Sequence, residues 1–286
     1  MFPTLLEIGP ITLHSYGLMI ALGFLAALYL MQRDAPRWGI DPRFVSGMAF
    51  WCLFIGIVST RLLHILLYSE HYAWDKPLGW VAIWEGGLVF QGAIPAGALF
   101  IYIVLRWKGM PFWSTIDLAV PYVPLAHAFG RVGCFLNGCC YGKRCDAPWA
   151  VRFPQGSPVF TEHAYRYQDI SVRTDAWSYP VHPTQLYSVA GLLLIFALLW
   201  FLRKKWYPFG GFTLALYLAC YGVMRFIVEF YRGDNNPSHL GFGVFSDQQM
   251  FALAMLAVGA GLFVYLAVKK HPPGGQEKPS ATAGDR

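Results

Sequence analysis

The sequence predicts an all-α integral membrane protein. Seven transmembrane helices form a bundle, amino terminus outside and carboxyl terminus inside, with an ordered extracytoplasmic loop domain between helices 4 and 5. Composition is the first ground for this. Of 286 residues, 56% are hydrophobic and only 13% are charged, about half the charge of a soluble chain, and the mean hydropathy is +0.42. So little polar surface cannot cover a soluble core. An aromatic content of 17% excludes intrinsic disorder, and 6 Cys in this length exclude a secreted disulfide miniprotein. The second ground is charge spacing: Asp, Glu, Lys and Arg are absent from 8–32, 44–60, 86–105, 118–130, 176–202, 206–224 and 248–268. Most of these windows reach the length of about 20 residues that a spanning helix needs. The third ground is the one-sided placement of Lys and Arg in the short loops.

The spans fall near 14–32, 44–67, 83–105, 112–130, 184–202, 211–231 and 247–268. Ahead of the first, Met1 to Leu13 has no basic region, so no cleavable signal peptide is expected and the first apolar run stays as a helix. The second span carries Arg61, which reads as structural. The fourth is short and contains Pro121 and Pro124, so it is expected to be broken near a site. Such residues are tolerated in a span where protein satisfies the freed backbone groups. Asp117 is expected near the cytoplasmic interface, capping that helix. Residues 131–183 form one long extracytoplasmic connection, rich in Arg, Tyr, Pro and Trp, whose aromatic content argues for order. Residues 1–270 thus read as one membrane domain with 131–183 as its cap region, and 271–286 as a disordered cytoplasmic tail. No internal repeat is visible.

Arg33, Arg37, Arg43, Arg106, Lys108, Arg203, Lys204, Lys205, Lys269 and Lys270 lie on one side, against Lys76 and Arg232 in the short loops of the other. The basic side is cytoplasmic. The net charge of +6 is therefore mainly a topological signal, and no nucleic-acid partner is expected.

Ionisable residues inside the spans are the best clues to a site, since each costs at least about 2.5 kcal/mol at the bilayer centre. Arg225 and Glu229 stand four apart on one helical face. They are either a self-neutralising structural pair or an arginine that binds an anionic headgroup, oriented by the glutamate. Arg131 ends the broken fourth span in HAFGRVGCFLNGCCYG, where Gly130, Gly133, Gly138 and Gly142 permit close backbone approach. A guanidinium beside glycine-rich backbone suits a phosphate, so a phosphate-bearing lipid is the expected ligand.

Cys134, Cys139, Cys140 and Cys145 follow a C-x4-C-C-x4-C spacing on the oxidising side. They could form a disulfide, remain free buried thiols, or bind metal, although zinc sites favour C-x2–4-C pairs set further apart. Cys52 and Cys220 read as small buried apolar residues. Among the histidines, His14 and His127 read as structural, and His182 is the stronger site candidate because it shares the membrane level of Arg131.

These residues resemble one family, the bacterial prolipoprotein diacylglyceryl transferases. The resemblance runs to about residue 268 and rests on HSYGLMIALGF (14–24), WEGGLVFQGA (84–93), GRVGCFLNGCCYG (130–142), HPTQLY (182–187) and YGVMRFIVEFYR (221–232). It implies a membrane bundle whose outer loop domain caps a cavity open sideways to lipid. The implied enzyme of the bacterial inner (cytoplasmic) membrane uses no cofactor and no metal. It transfers the sn-1,2-diacylglyceryl group of phosphatidylglycerol to the lipobox cysteine of a prolipoprotein and releases glycerol 1-phosphate. Arg131 and Arg225 match the family's functional arginines and Glu229 its partner acid. Tyr16 and Gly142 match further required positions. The resemblance implies catalytic roles for Arg131, Arg225, Glu229, Tyr16 and His182, and substrate binding by Arg131, Gln91, Asn137, Gly142 and Arg225. Gln91 stands where the family's well-studied branch has a histidine proposed as base, and Cys134 and Cys139 replace an Asn and a Glu. The proton would then go to Glu229, His182 or water. The alternatives are a diverged paralogue with another acceptor, or a non-catalytic lipid-binding or transport protein on the same scaffold.

Overall fold

The structure is a computed structural model that describes residues 4–8, 11–69, 80, 92–166, 170–234 and 244–269. Gln91, most of the WEGGLVFQGA run and the tail over 271–286 lie outside the described residues. The chain divides into two compact units, Met1–Leu30 with Ile116–Pro273, and Met31–Thr115 with Gly274–Arg286.

In the second unit, α2 (Pro42–Leu67) starts where the Asp41 side chain accepts a hydrogen bond from the Arg43 amide at 2.8 Å, with Pro42 in the first helical position. The helix α3 (Ala93–Trp107) packs along α2. Buried Arg61 donates from Nε to the Trp80 carbonyl at 3.2 Å.

The first unit opens with an antiparallel hairpin, β1 (Thr4–Ile8) and β2 (Ile11–His14), followed by α1 (Ser15–Asp34), most of which belongs to this unit. After α4 (Phe112–Ala119) come α5 (Tyr122–Asn137), α6 (Pro158–Arg166), α7 (Ile170–Asp175), α8 (Thr184–Lys205), α9 (Phe212–Glu229) and α10 (Asp247–Lys269). Among the described residues, five helices are long and apolar enough to cross a membrane. They are α1 with its 3-10 extension to Trp38, α2, α8, α9 and α10; α3 is a shorter apolar helix.

The span expected over 112–130 is two helices, α4 and α5, and the second runs on to Asn137. Arg131 therefore lies inside a helix instead of at its end. The break has its own partners. Arg203 of α8 is buried and donates to the carbonyls of Asp117 at 3.3 Å and Leu118 at 3.2 Å, and to the Tyr122 hydroxyl at 3.2 Å. The arginine read as a topology marker thus also satisfies backbone that the break sets free. The expectation for Asp117 needs correcting. Its fully buried carboxylate accepts from the amides of Gly211 at 2.5 Å and Thr213 at 3.0 Å, from the Thr213 hydroxyl at 2.5 Å, and from Tyr207. It caps the start of α9, where unpaired amides and the positive end of the helix dipole favour an anion.

Helix α5 packs along α8, and α9 along α10. The α9–α10 pair is close because a Cβ on Gly222 would meet the Ala252 carbonyl at 2.6 Å and one on Gly259 the Ala219 amide at 2.6 Å. Between α5 and α8 the chain folds around two small apolar clusters. One joins Tyr141, Phe153, Val159 and Val181, the other Phe160, Ala164 and Val172. The excursion closes on itself through the Val151–Val181 pair, bonded in both directions at 3.0 Å.

Candidate functional site

Helix α9 buries Arg225 and Glu229 at 8% and 2% exposure, with the guanidinium 2.6 Å from the carboxylate. Spacing four apart on a helix brings such side chains together. The carboxylate also accepts from the Ser246 hydroxyl at 3.0 Å, and Arg225 reaches Gln248 Oε1 at 3.5 Å. Two residues at the start of α10 thus fix a pair that the sequence defined from α9 alone.

At the start of the second half of α5, Arg131 donates from Nε to His127 Nε2 at 3.2 Å. His127 lies within electrostatic reach of both Arg131 and Arg225, so the arginines of α5 and α9 share one neighbourhood. Like charges are held together here by Glu229 and by the bundle itself, and the one positive charge left over suits an anionic group such as a phosphodiester. The Tyr16 ring packs over Gly133, where a Cβ would meet it at 3.1 Å. That places α1 beside the Arg131 turn.

Gly142 is the hinge of the site. Its amide donates to the His182 carbonyl at 3.0 Å, the Lys143 amide donates to the Tyr231 carbonyl at 2.8 Å, and the His182 amide donates to the Lys143 carbonyl at 3.0 Å. A Cβ on Gly142 would lie 2.5 Å from both the His182 Cβ and the His182 carbonyl oxygen, and 2.7 Å from the Tyr231 carbonyl. No side chain fits there. His182 is thereby pinned beside the end of α9, its Nδ1 3.1 Å from the Tyr187 hydroxyl, which also receives the Trp149 indole N–H at 2.8 Å. The rings of His182, Tyr187 and Tyr231 meet edge-on or tilted at 5.2–6.0 Å. These rings help line a cavity of about 800 Å3, continued between α8 and α9 by Leu194, Val223, Met224 and Ile227. Apolar walls with a few polar groups are the general form of a small-molecule site.

Asn137, at the end of α5, has its side chain near Cys139. Gln91 lies outside the described residues. The structure thus brings together Arg131 with Arg225 and Glu229, and Gly142 with His182, and sets Tyr16 beside α5. Arg232, read earlier as a topology marker, proves to belong here. Its guanidinium bonds Asp234 twice, at 2.9 and 2.6 Å, and stands 4.0 Å from Glu229. The signal was available, since Arg232 follows Glu229 by three residues. Ser246 and Gln248 carried no such signal.

The cysteines are free, and the sulfurs of Cys134, Cys139 and Cys140 lie within 4.8 Å of one another. The sequence spacing argued against this grouping. Backbone geometry at the end of α5 overrides the spacing.

Fold and site define a helical membrane protein with arginines buried in its interior and a large apolar cavity within the same unit. Residues 3–265 match the family model for prolipoprotein diacylglyceryl transferase. The chain is 34% identical over 278 residues to the phosphatidylglycerol–prolipoprotein diacylglyceryl transferase of Vibrio atlanticus (strain LGP32), covering 94% of this chain and 92% of that protein. It is 35% identical over 269 residues to the enzyme of that name from Clostridium tetani (strain Massachusetts / E88), covering 92% and 97%, and 34% identical over 271 residues to that from Bordetella avium (strain 197N), covering 93% and 94%. The chain belongs to the prolipoprotein diacylglyceryl transferase family.

Proposed function

We propose that this chain is a transferase that moves the diacylglyceryl group of phosphatidylglycerol onto a prolipoprotein. Family membership over residues 3–265 is the single observation that carries this reading. In the finer form, the acceptor is the thiol of the lipobox cysteine in the prolipoprotein signal peptide. Its sulfur forms a bond to the glyceryl carbon as the bond from that carbon to the phosphate oxygen breaks. The sn-1,2-diacylglyceryl thioether remains on the protein, and glycerol 1-phosphate leaves.

Two requirements follow from this chemistry: the thiol must lose its proton to attack, and charge on the departing phosphate must be stabilised. Arg131 and Arg225 would hold the phosphate, since preorganised donors aimed at developing charge are often the largest catalytic contribution. Glu229 would orient Arg225, with Tyr16, Gln91, Asn137 and Gly142 shaping the pocket. His182 would stand near the acceptor and take its proton. The apolar cavity supports this reading because it offers room for acyl chains next to His182.

The multi-pass chain would lie in the bacterial inner membrane as seven spans with its amino terminus outside. Residues 1–270 would form the transferase domain, with 131–183 as an extracytoplasmic cap and 271–286 as a cytoplasmic tail.

The test is mass spectrometry of a lipobox peptide incubated with purified protein and phosphatidylglycerol. A thioether-linked diacylglyceryl mass increment on the cysteine is expected. An unmodified peptide from protein that still binds the lipid would replace this reading with a lipid-binding one.

A further inference from the structure

Helix α5 ends in a turn that joins two thiols. With Gly138 at φ +72°, the Gly138 amide donates to the Phe135 carbonyl at 3.2 Å and the Cys139 amide to the Cys134 carbonyl at 3.1 Å. This paired closure brings together the side chains of the residue three before the cap and the second residue after it, normally two apolar groups in contact. Here both are cysteines. Cys140 then takes φ +59°, one of two non-glycine residues with positive φ among the described residues. A left-handed non-glycine backbone persists only where its surroundings enforce it. Those surroundings come from α8: Thr184 Oγ1 donates to the Cys140 carbonyl at 2.8 Å, and Gln185 Nε2 to the Cys139 carbonyl at 2.7 Å. Both side chains are 0–1% exposed.

The outcome is three sulfurs within 4.8 Å of one another, Cys134 buried and the other two half-buried. Apolar packing would not require a left-handed Cys140 held by two buried donors. A disulfide uses two sulfurs and gives no reason for the third. A metal ion uses all three. With Zn–S bonds of about 2.3 Å, three thiolates around one ion stand about 3.8–4.0 Å apart, a contraction of at most about an ångström from sulfurs that lie within 4.8 Å of one another.

Electrostatics agree. The guanidiniums of Arg232 and Arg131 lie within electrostatic reach of the Cys140 sulfur. Three thiolates around a divalent ion keep one net negative charge, which the two guanidiniums offset.

We propose that Cys134, Cys139 and Cys140 form a three-thiolate site for a thiophilic closed-shell metal ion, of the Zn2+ or Cu+ class, at the end of α5. Sulfur donors select such ions over Mg2+ and Ca2+. Cys145 lies outside the cluster and serves as the internal control.

The test uses the full-length protein in detergent, reduced and then offered Zn2+ or Cu+ in separate arms. Metal content is measured after gel filtration, and free thiols are counted with and without a chelator. One ion per chain should be retained, with three thiols protected until the chelator is added. The Cys139→Ser/Cys140→Ser double variant should lose the ion, whereas Cys145→Ser should keep it. The arm that retains metal identifies the ion. To separate loss of ligands from loss of fold, Cd2+ is titrated into the wild-type protein and its thiolate-to-metal charge-transfer band recorded. No retained metal and no such band would overturn the proposal, as would metal retained by the double variant. A disulfide between any two of the three in protein purified without reductant that resists reduction would overturn it equally. None of these readouts depends on transferase activity.

Discussion

Arg131 and Arg225 come from different helices and are anchored differently: one donates to a histidine on its own helix, the other is clamped by Glu229. If both hold the departing phosphate, each removal costs transition-state stabilisation more than binding. Arg131→Ala and Arg225→Ala should each lower kcat by roughly 10²–10³-fold, about 3–4 kcal/mol. Single-turnover transfer to a lipobox peptide would measure this, and unchanged turnover in both variants would remove the arginines from the chemistry. The Arg225→Ala protein should also melt at a lower temperature, because buried Glu229 loses its nearest counter-charge, 2.6 Å away, and keeps only Arg232 at 4.0 Å. Of this site, the Arg225–Glu229 pair was legible because helical spacing is local. Ser246 and Gln248 were not, since nothing in a serine or glutamine announces a partner on another helix.

At the scale of elements, the break between α4 and α5 was legible from Pro121, but the means of its repair were not. Arg203 and Asp117 lie far apart in sequence and meet only because α8 and α9 return to the same place. Asp117 gathers hydrogen bonds from Tyr207, Gly211 and Thr213. Hydrogen bonds to charged groups contribute about 1.5–3 kcal/mol each, so Asp117→Ala should destabilise the protein by several kcal/mol. A thermal melt in detergent would register this; a melting temperature within a degree or two of wild type would disprove the capping role.

The α6 region offers a pH test. His163 is 3% exposed and accepts from the Tyr179 amide through Nδ1 at 3.3 Å. Burial, aided by the Arg144 charge and opposed by Glu162, lowers its pKa below the ordinary 6.5. The unfolded chain therefore binds the proton more readily. This contribution to stability is complete above about pH 6.5 and is lost as the pH falls through that value towards the lower folded pKa. Limited proteolysis of the 138–183 region should accelerate between about pH 7 and pH 5. His163→Asn, which keeps an acceptor but does not titrate, should flatten the profile.

At the scale of the molecule, charge-free windows and basic loops were readable because the bilayer imposes them on any chain that crosses it. They predict orientation. A phosphatase that folds only outside the cytoplasm should be inactive when fused after Lys108 or Lys205 and active when inserted at Trp149. Activity after Lys108 or Lys205 would invert the topology. The N-terminal hairpin escaped this reading because TLLEI and ITLH are short apolar runs whose pairing depends on a turn, not on periodicity. The trio of cysteines escaped for a similar reason: spacing alone does not reveal a left-handed residue. The backbone pairing of Lys143 with His182 carries one more consequence. The chain departs on its excursion and returns from it at a single doorway, latched by main-chain bonds that need the space Gly142 leaves open. An exchange of this stretch between relatives, cut at the doorway, keeps that main-chain closure and should yield folded chimaeras, checked by their thermal melts in detergent.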